Sequence, residues 1–274
     1  MALAFALLSV GVARATTKAD IDAFLKSTTY LVLHKNQMSE WNFKMPDAVR
    51  QSWTLTPFQV INYQQFEQMR HDPDKSFIIR MKFKFPEDKI KAPYKFMVIV
   101  RGAKTDDLNA MPELASMPLG YASSDQDSWA YKLEGLLRFA QHHILYLQKH
   151  PEQIGKNPLL IYNKDLPSLK GKELWLVKSD LTSKVNSVSK IRKYYKGKVR
   201  IVSKEDIRKA IKEKRTDVVY LHKVGPEGHL TKARVYKALL GAGDDRMYYF
   251  DYHNYSSKKG DGLLKKDFKR LNKR

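Results

Sequence analysis

The chain has 274 residues, with 50 Lys and Arg against 29 Asp and Glu for a formal charge of +21. That length allows one large domain, or two of about 100 to 150 residues that each bury a core. The lack of cysteine excludes a disulfide, a thiolate metal site, a cysteine nucleophile and a lipidated cysteine.

Met1 to Ala15 reads as a signal peptide. Its apolar run, Ala2 to Val12, ends in Ala13-Arg14-Ala15, the small-x-small form that precedes cleavage, although no Lys or Arg stands ahead of it. The run is too short to span a bilayer. With no later transmembrane anchor in view, a periplasmic or secreted location is expected.

Thr17 to Ser27 follows as a short amphipathic helix, and Tyr30-Leu31-Val32-Leu33 as a first strand of the kind buried on both faces of a parallel sheet. Ser39 stands where an N-cap would, ahead of a helix to about Trp53 in which Pro46 either starts the first turn or bends the axis. Phe58 to Ile61 is a second strand, Tyr63 to Arg70 a helix and Phe77 to Phe85 a third strand. A turn at Pro86-Glu87-Asp88 then returns the chain along Tyr94 to Val100. Residues 104–127, polar and broken by Pro112 and Pro118, read as a long loop, and loops of that length often bind or cover something. Ser128 to His150 is a strong helix stopped by Pro151.

The order then recurs. Strands at 174–177, 199–202 and 218–224 alternate with helices at 180–195 and 204–214. Gly225-Pro226-Glu227-Gly228 falls where the earlier turn fell, and a returning strand runs from Ala233 to Leu240. Met247 to Tyr252 reads as an added strand and Leu263 to Leu271 as a final helix. The fold class is therefore α/β, a tandem duplication of a β-α-β-α-β unit with an antiparallel hairpin and a closing helix, each copy forming a mixed sheet. The expected division is a leader at 1–15, a first domain at 16–150, a linker at 151–171 and a second, basic domain at 172–274. Residues 151–274 carry 31 Lys and Arg against 14 Asp and Glu, or +17, whereas residues 1–150 carry 19 against 15, or +4.

Neither a metal site nor a cofactor is expected. His142 and His143 adjoin on a helix, where neighbours point about 100° apart and do not chelate together, and no HExxH spacing occurs. The glycines at 225–228 and 241–243 lack the Lys-Ser pair of a phosphate loop and read as turns. His222 and His253, with Asp251 or Glu227 to orient one of them, are the candidates for a catalytic set near strand ends. Against this stand Met81, which the repeat sets against His222, and the lack of a G-x-S-x-G elbow. The candidate anion-binding residues are Lys190, Arg192, Lys193, Lys196, Arg208, Lys212 and Arg215, interleaved with Tyr194 and Tyr195.

Tyr-Lys-Leu-x-x-Leu-Leu-Arg-Phe at Tyr131 to Phe139 and His-Lys-Val-Gly-Pro-Glu-Gly at His222 to Gly228 resemble segments of an exported protein family of Bacteroides-like bacteria. The resemblance covers most of the chain and implies an envelope setting, with no chemistry attached to either motif. Three functions remain open: a non-catalytic periplasmic binding or envelope-assembly module that contacts a protein or anionic envelope component, a nucleic-acid-binding protein, and a hydrolase using His222 or His253 with Asp251.

Overall fold

The computed structural model describes residues 16–84, 93–121, 128–228 and 233–272. The expected leader at 1–15 and the turn at Pro86-Glu87-Asp88 lie outside the described residues, as do residues 122–127 of the expected loop. The chain forms two compact units: 16–84, 93–119 and 136–157 make one, and 120–121, 128–135 and 158–272 make the other.

The first unit opens with α1 (Lys18–Phe24), β1 (Thr28–Val32), α2 (Glu40–Ser52), β2 (Phe58–Ile61) and α3 (Tyr63–Met69). β3 (Lys75–Phe83), β4 (Tyr94–Arg101), β5 (Glu113–Tyr121) and α4 (Leu133–Lys149) complete the series. The strands form one sheet in the order β2-β1-β3-β4-β5, with β1 parallel to β2 and β3, and β3 antiparallel to β4. β5 corrects the expected loop at 104–127. Leu114, Met117, Leu119 and Tyr121 on it are buried, and Pro118 is tolerated because an edge strand can do without one N–H. α2 runs through Pro46 rather than starting at it.

The second unit repeats this topology with α5 (Pro158–Tyr162), β6 (Glu173–Leu176), α6 (Val188–Arg192), β7 (Lys198–Ile201), α7 (Lys204–Lys212), β8 (Val218–Val224), β9 (Arg234–Gly241), β10 (Met247–Asn254) and α8 (Lys265–Arg270). Its sheet order, β7-β6-β8-β9-β10, matches that of the first strand for strand. The same local chemistry starts the matching helices: Asn62 with Gln65 closes a capping box on α3, and Ser203 with Asp206 closes one on α7. Residues 158–171 pack into this unit. Asn163 donates to Phe250 O at 2.9 Å and accepts from Phe250 N–H at 2.8 Å, covering the free edge of β10.

The helix expected at 180–195 is instead two 3₁₀ turns, Lys178–Asp180 and Ser183–Val185, followed by the short α6. Leu181 bridges to Leu263, and Thr182 Oγ1 donates to Leu263 O at 2.9 Å, so this stretch is drawn into tertiary contacts that compete with a helix. α6 begins only where Ser187 accepts from Lys190 N–H.

Matching hydrogen bonds set the true equivalence of the repeats. Gly102 N–H donates to Lys75 O in one, and Ala242 N–H donates to Val218 O in the other. Counting along β3 from Lys75 and along β8 from Val218 places Ile79, not the expected Met81, against His222, and Arg80 against Lys223. One core of the second unit joins Leu174, Leu176, Val219 and Leu221 of the sheet to Ile191, Tyr195 and Phe268, which puts α6 and α8 on the same face. Each fully buried Leu, Val or Phe there contributes about 1.5–3 kcal/mol. α7 covers the opposite face through Ile207, Ala210 and Ile211.

Candidate functional site

β6 leads through α6 outward to β7, and β7 leads through α7 back past β6 to β8. Between β6 and β8 the chain therefore departs in opposite directions, and the crevice at their carboxyl ends is where open α/β sheets hold ligands. Beyond the last β6–β8 pair, Trp175↔Tyr220, β8 runs on to Val224 past the end of β6, paired only with β9. Lys223 lies on this extension, buried, with its Nζ 3.2 Å from Asp261 Oδ2, 3.8 Å from Glu227 Oε1 and 3.9 Å from Asp180 Oδ1. Lys132, in the turn Ala130–Lys132 of the same unit, is fully buried, and its Nζ has no hydrogen-bond partner among the described residues.

Burial dominates the titration of this cluster. It lowers the Lys132 amine to about 8, with Asp180 and Glu227 opposing the shift and Lys223 and Lys204 adding to it. Burial likewise raises the Asp180 and Glu227 carboxyls against the pull of the lysines. Asp261 also organises the turn that follows β8: it accepts from Glu227 N–H at 2.8 Å, and its Oδ1 sits 1.8 Å from where a Cβ on Gly225 would be. Gly225→Ala is accordingly expected to displace Asp261 from Lys223 and destabilise the fold by about 2 kcal/mol or more, measured by urea unfolding. His-Lys-Val-Gly-Pro-Glu-Gly thus supplies Lys223, Gly225 and Glu227 to one ionic cluster. Asp180, Asp261 and Lys132 gave no local signal, because each arrives from a different stretch of chain.

The candidate catalytic residues do not come together. Residues paired directly across a sheet share a face, so Lys223, Lys237 and Asp251 lie on one side, whereas His222, Ala238 and Phe250 lie on the other. His253 shares the Asp251 face, but its Nε2 is 3.0 Å from Gly260 O, and burial lowers its pKa. Asp251 instead accepts from Arg270 Nη1 at 2.7 Å and lies 3.5 Å from Lys237 Nζ. Among the described residues no group of three or more His, Cys, Asp or Glu is placed to hold a metal ion.

The seven candidate anion-binding residues divide between the faces. Lys190, Arg192, Lys193 and Lys196 belong to the α6 side, where Lys190 Nζ donates to Ser183 O at 2.8 Å. On this side Lys265 and Lys269 lie 5.3 and 6.0 Å from the ring centre of Tyr194. Arg208, Lys212 and Arg215 belong to the α7 side. Arg208 pairs there with Glu205, and Arg215 pairs with Asp217 at 2.5 Å.

On the α7 face the structure adds two residues that sequence reading passed over. Trp175, read only as part of an apolar strand, and its ladder partner Arg200 border a recess of about 240 Å³, together with Asp206, Lys209, Glu213 and Arg215. The Arg200 and Arg215 guanidiniums lie 5.5 and 5.0 Å from the indole ring centre. Glu173 holds the indole by accepting from Trp175 Nε1 at 2.7 Å, and its carboxylate is 3.8 Å from Arg200. Two guanidiniums thus lie on one ring, and each cation of the recess has a carboxylate beside it: Glu173 at Arg200, Glu213 at Lys209 and Asp217 at Arg215.

Comparison with family models, with curated proteins and with solved structures gives no match. No helix among the described residues is long and apolar enough to cross a membrane.

Proposed function

We propose that the chain is a non-catalytic binding or assembly module of the cell envelope, periplasmic or secreted, whose basic second unit contacts an anionic envelope component. The observation that carries this reading is the Trp175 recess, where Arg200 and Arg215 are held on an indole; an anion there would compete with Glu173 and Asp217 for the two guanidiniums. Phosphate-rich surfaces suit it, since planar guanidiniums take phosphate oxygens pairwise. The charge excess of the second half supports the same reading by raising the local concentration of anions. A nucleic-acid partner is the second reading, and the half-buried Tyr194 with Lys265 and Lys269 over its ring supports it by joining an aromatic to cations on one face.

The test is co-sedimentation of the full chain with phosphatidylglycerol vesicles, phosphatidylcholine vesicles and single-stranded DNA across a salt series. Salt-sensitive binding to the anionic vesicles, weakened about tenfold by Arg200→Gln with Arg215→Gln, is the expected result. Equal binding to both vesicle types would overturn the envelope reading. Preference for DNA would transfer the assignment to the second reading.

A further inference from the structure

The first unit has a switch point of its own, between β1 and β3, and its charges differ from those at the corresponding place in the second. β1 and β3 pair only as far as Leu31↔Ile78, yet β3 continues to Phe83. Arg80 and Lys82 lie on this extension, two residues apart and hence on one face. His34 and Lys35 leave β1 at the same carboxyl end.

The loop that carries them is tightly held. Asn42 Oδ1 accepts from His34 N–H at 2.7 Å, and Asn42 Nδ2 donates to the carbonyls of His34 and Asn36 at 3.0 and 3.1 Å. Asn36 N–H donates to His34 Nδ1 at 3.1 Å, so the neutral imidazole carries its proton on Nε2. Lys35 Nζ rests 4.1 Å from the ring centre of Tyr63. Ser39, the N-cap residue of α2, makes no side-chain cap bond, because its Oγ accepts from Arg80 Nη1 at 3.0 Å.

Arg80 is half-buried, and burial is the sole influence on its pKa, with no carboxylate offsetting the lost water among the described residues. His34 is lowered first by burial and then by the positive fields of Arg80, Lys82 and Lys35. The matching position in the second unit is Lys223, whose charge three carboxylates of the chain itself neutralise. One switch point thus carries its own counter-charges, whereas at the other no carboxylate among the described residues acts on Arg80, although Glu67 lies in the field of Lys35 and Glu40 follows Ser39 in the chain.

We propose that the β1/β3 crevice of the first unit binds a phosphate-type oxyanion, held by Arg80 and Ser39 and flanked by His34, Lys35 and Lys82. Guanidinium, hydroxyl, imidazole Nε2–H and two ammonium groups offer more donors and charge than a carboxylate satisfies, which favours the dianion of a phosphate monoester. Exposed Met38 and Phe43 beside the loop provide an apolar flank for its organic group.

The experiment titrates the full chain with inorganic phosphate at constant ionic strength and follows the His34 ring by NMR, with its signal assigned through loss in His34→Gln. A saturable shift and a raised His34 pKa are expected, because a bound dianion stabilises the imidazolium. Arg80→Gln is expected to weaken phosphate about tenfold, the usual effect of losing a charged hydrogen bond, and Arg200→Gln to leave it unchanged. That second variant separates this site from the recess of the second unit. An unmoved His34 signal, the same shift with chloride or acetate, or parental phosphate affinity in Arg80→Gln would each overturn the proposal.

Discussion

Replacing Lys237 by methionine is expected to destabilise the second unit by about 3–5 kcal/mol, the usual cost of leaving half of a buried ion pair without its partner. Lys237 and Asp267 are both fully buried, and the ammonium lies 2.9 Å from each carboxylate oxygen. Asp267 also accepts from Tyr249 OH at 2.8 Å and from Leu264 N–H at 2.8 Å, so one side chain ties β9, β10 and the start of α8 together. Burial lowers the Lys237 pKa, and the Coulombic pull of Asp267 and Asp251 works against that shift. Removing the cation leaves an anion that water cannot reach. Lys237→Met combined with Asp267→Asn is expected to recover part of the loss, since the amide keeps an acceptor for Tyr249 or Leu264 without the charge. Urea unfolding of the three variants, with hydrogen exchange at β9 as a local readout, measures the effect. A loss under about 1 kcal/mol for the single change would show a solvated pair of the surface type.

Lys132→Met works in the opposite direction. The Lys132 amine falls from 10.5 to about 8 on folding, a difference that amounts to about 3 kcal/mol against the charged form. Below pH 8 the lysine is charged in both states, so the full penalty opposes folding. Between pH 8 and 10.5 the unfolded chain holds a proton that the folded chain has released, and stability rises with pH through that window. Methionine keeps most of the volume and carries no charge. It is therefore expected to stabilise the protein by about 3 kcal/mol at pH 7 and to remove the Lys132 share of the rise toward pH 10.5. Denaturation of parent and variant at pH 7 and pH 10 gives the comparison. Equal stability at pH 7 would mean that water or an anion already satisfies the ammonium.

The two buried clusters assign different work to neighbouring residues. Lys237 and Asp267 form a closed network that fastens a helix to a sheet edge. Lys132 and Lys223 sit where the fold opens between β6 and β8, and there one ammonium has no hydrogen-bond partner among the described residues. The first unit presents the same opening with Arg80 in place of Lys223. A single topology thus supports a neutralised crevice in one copy and a cationic one in the other.

The repeated element order and the basic character of the second half were legible in the sequence, because both follow from patterns local to the chain. Apolar runs such as Leu174-Trp175-Leu176-Val177 mark strands, and charge is a matter of counting, while Ser39 marks the start of α2 although it makes no side-chain cap bond. β5 escaped because a proline such as Pro118, which would interrupt a central strand, is harmless at an edge, and edge position is a property of the assembled sheet. What only the tertiary structure decided is which charges meet. His222 and Lys223 are adjacent in sequence yet face opposite sides of the sheet, whereas Lys223 meets Asp180 and Asp261 from distant segments. Strand parity and crossover direction make those pairings. No periodicity along the chain records them, since the energy of a buried ion depends on what the fold brings to within a few ångströms of it.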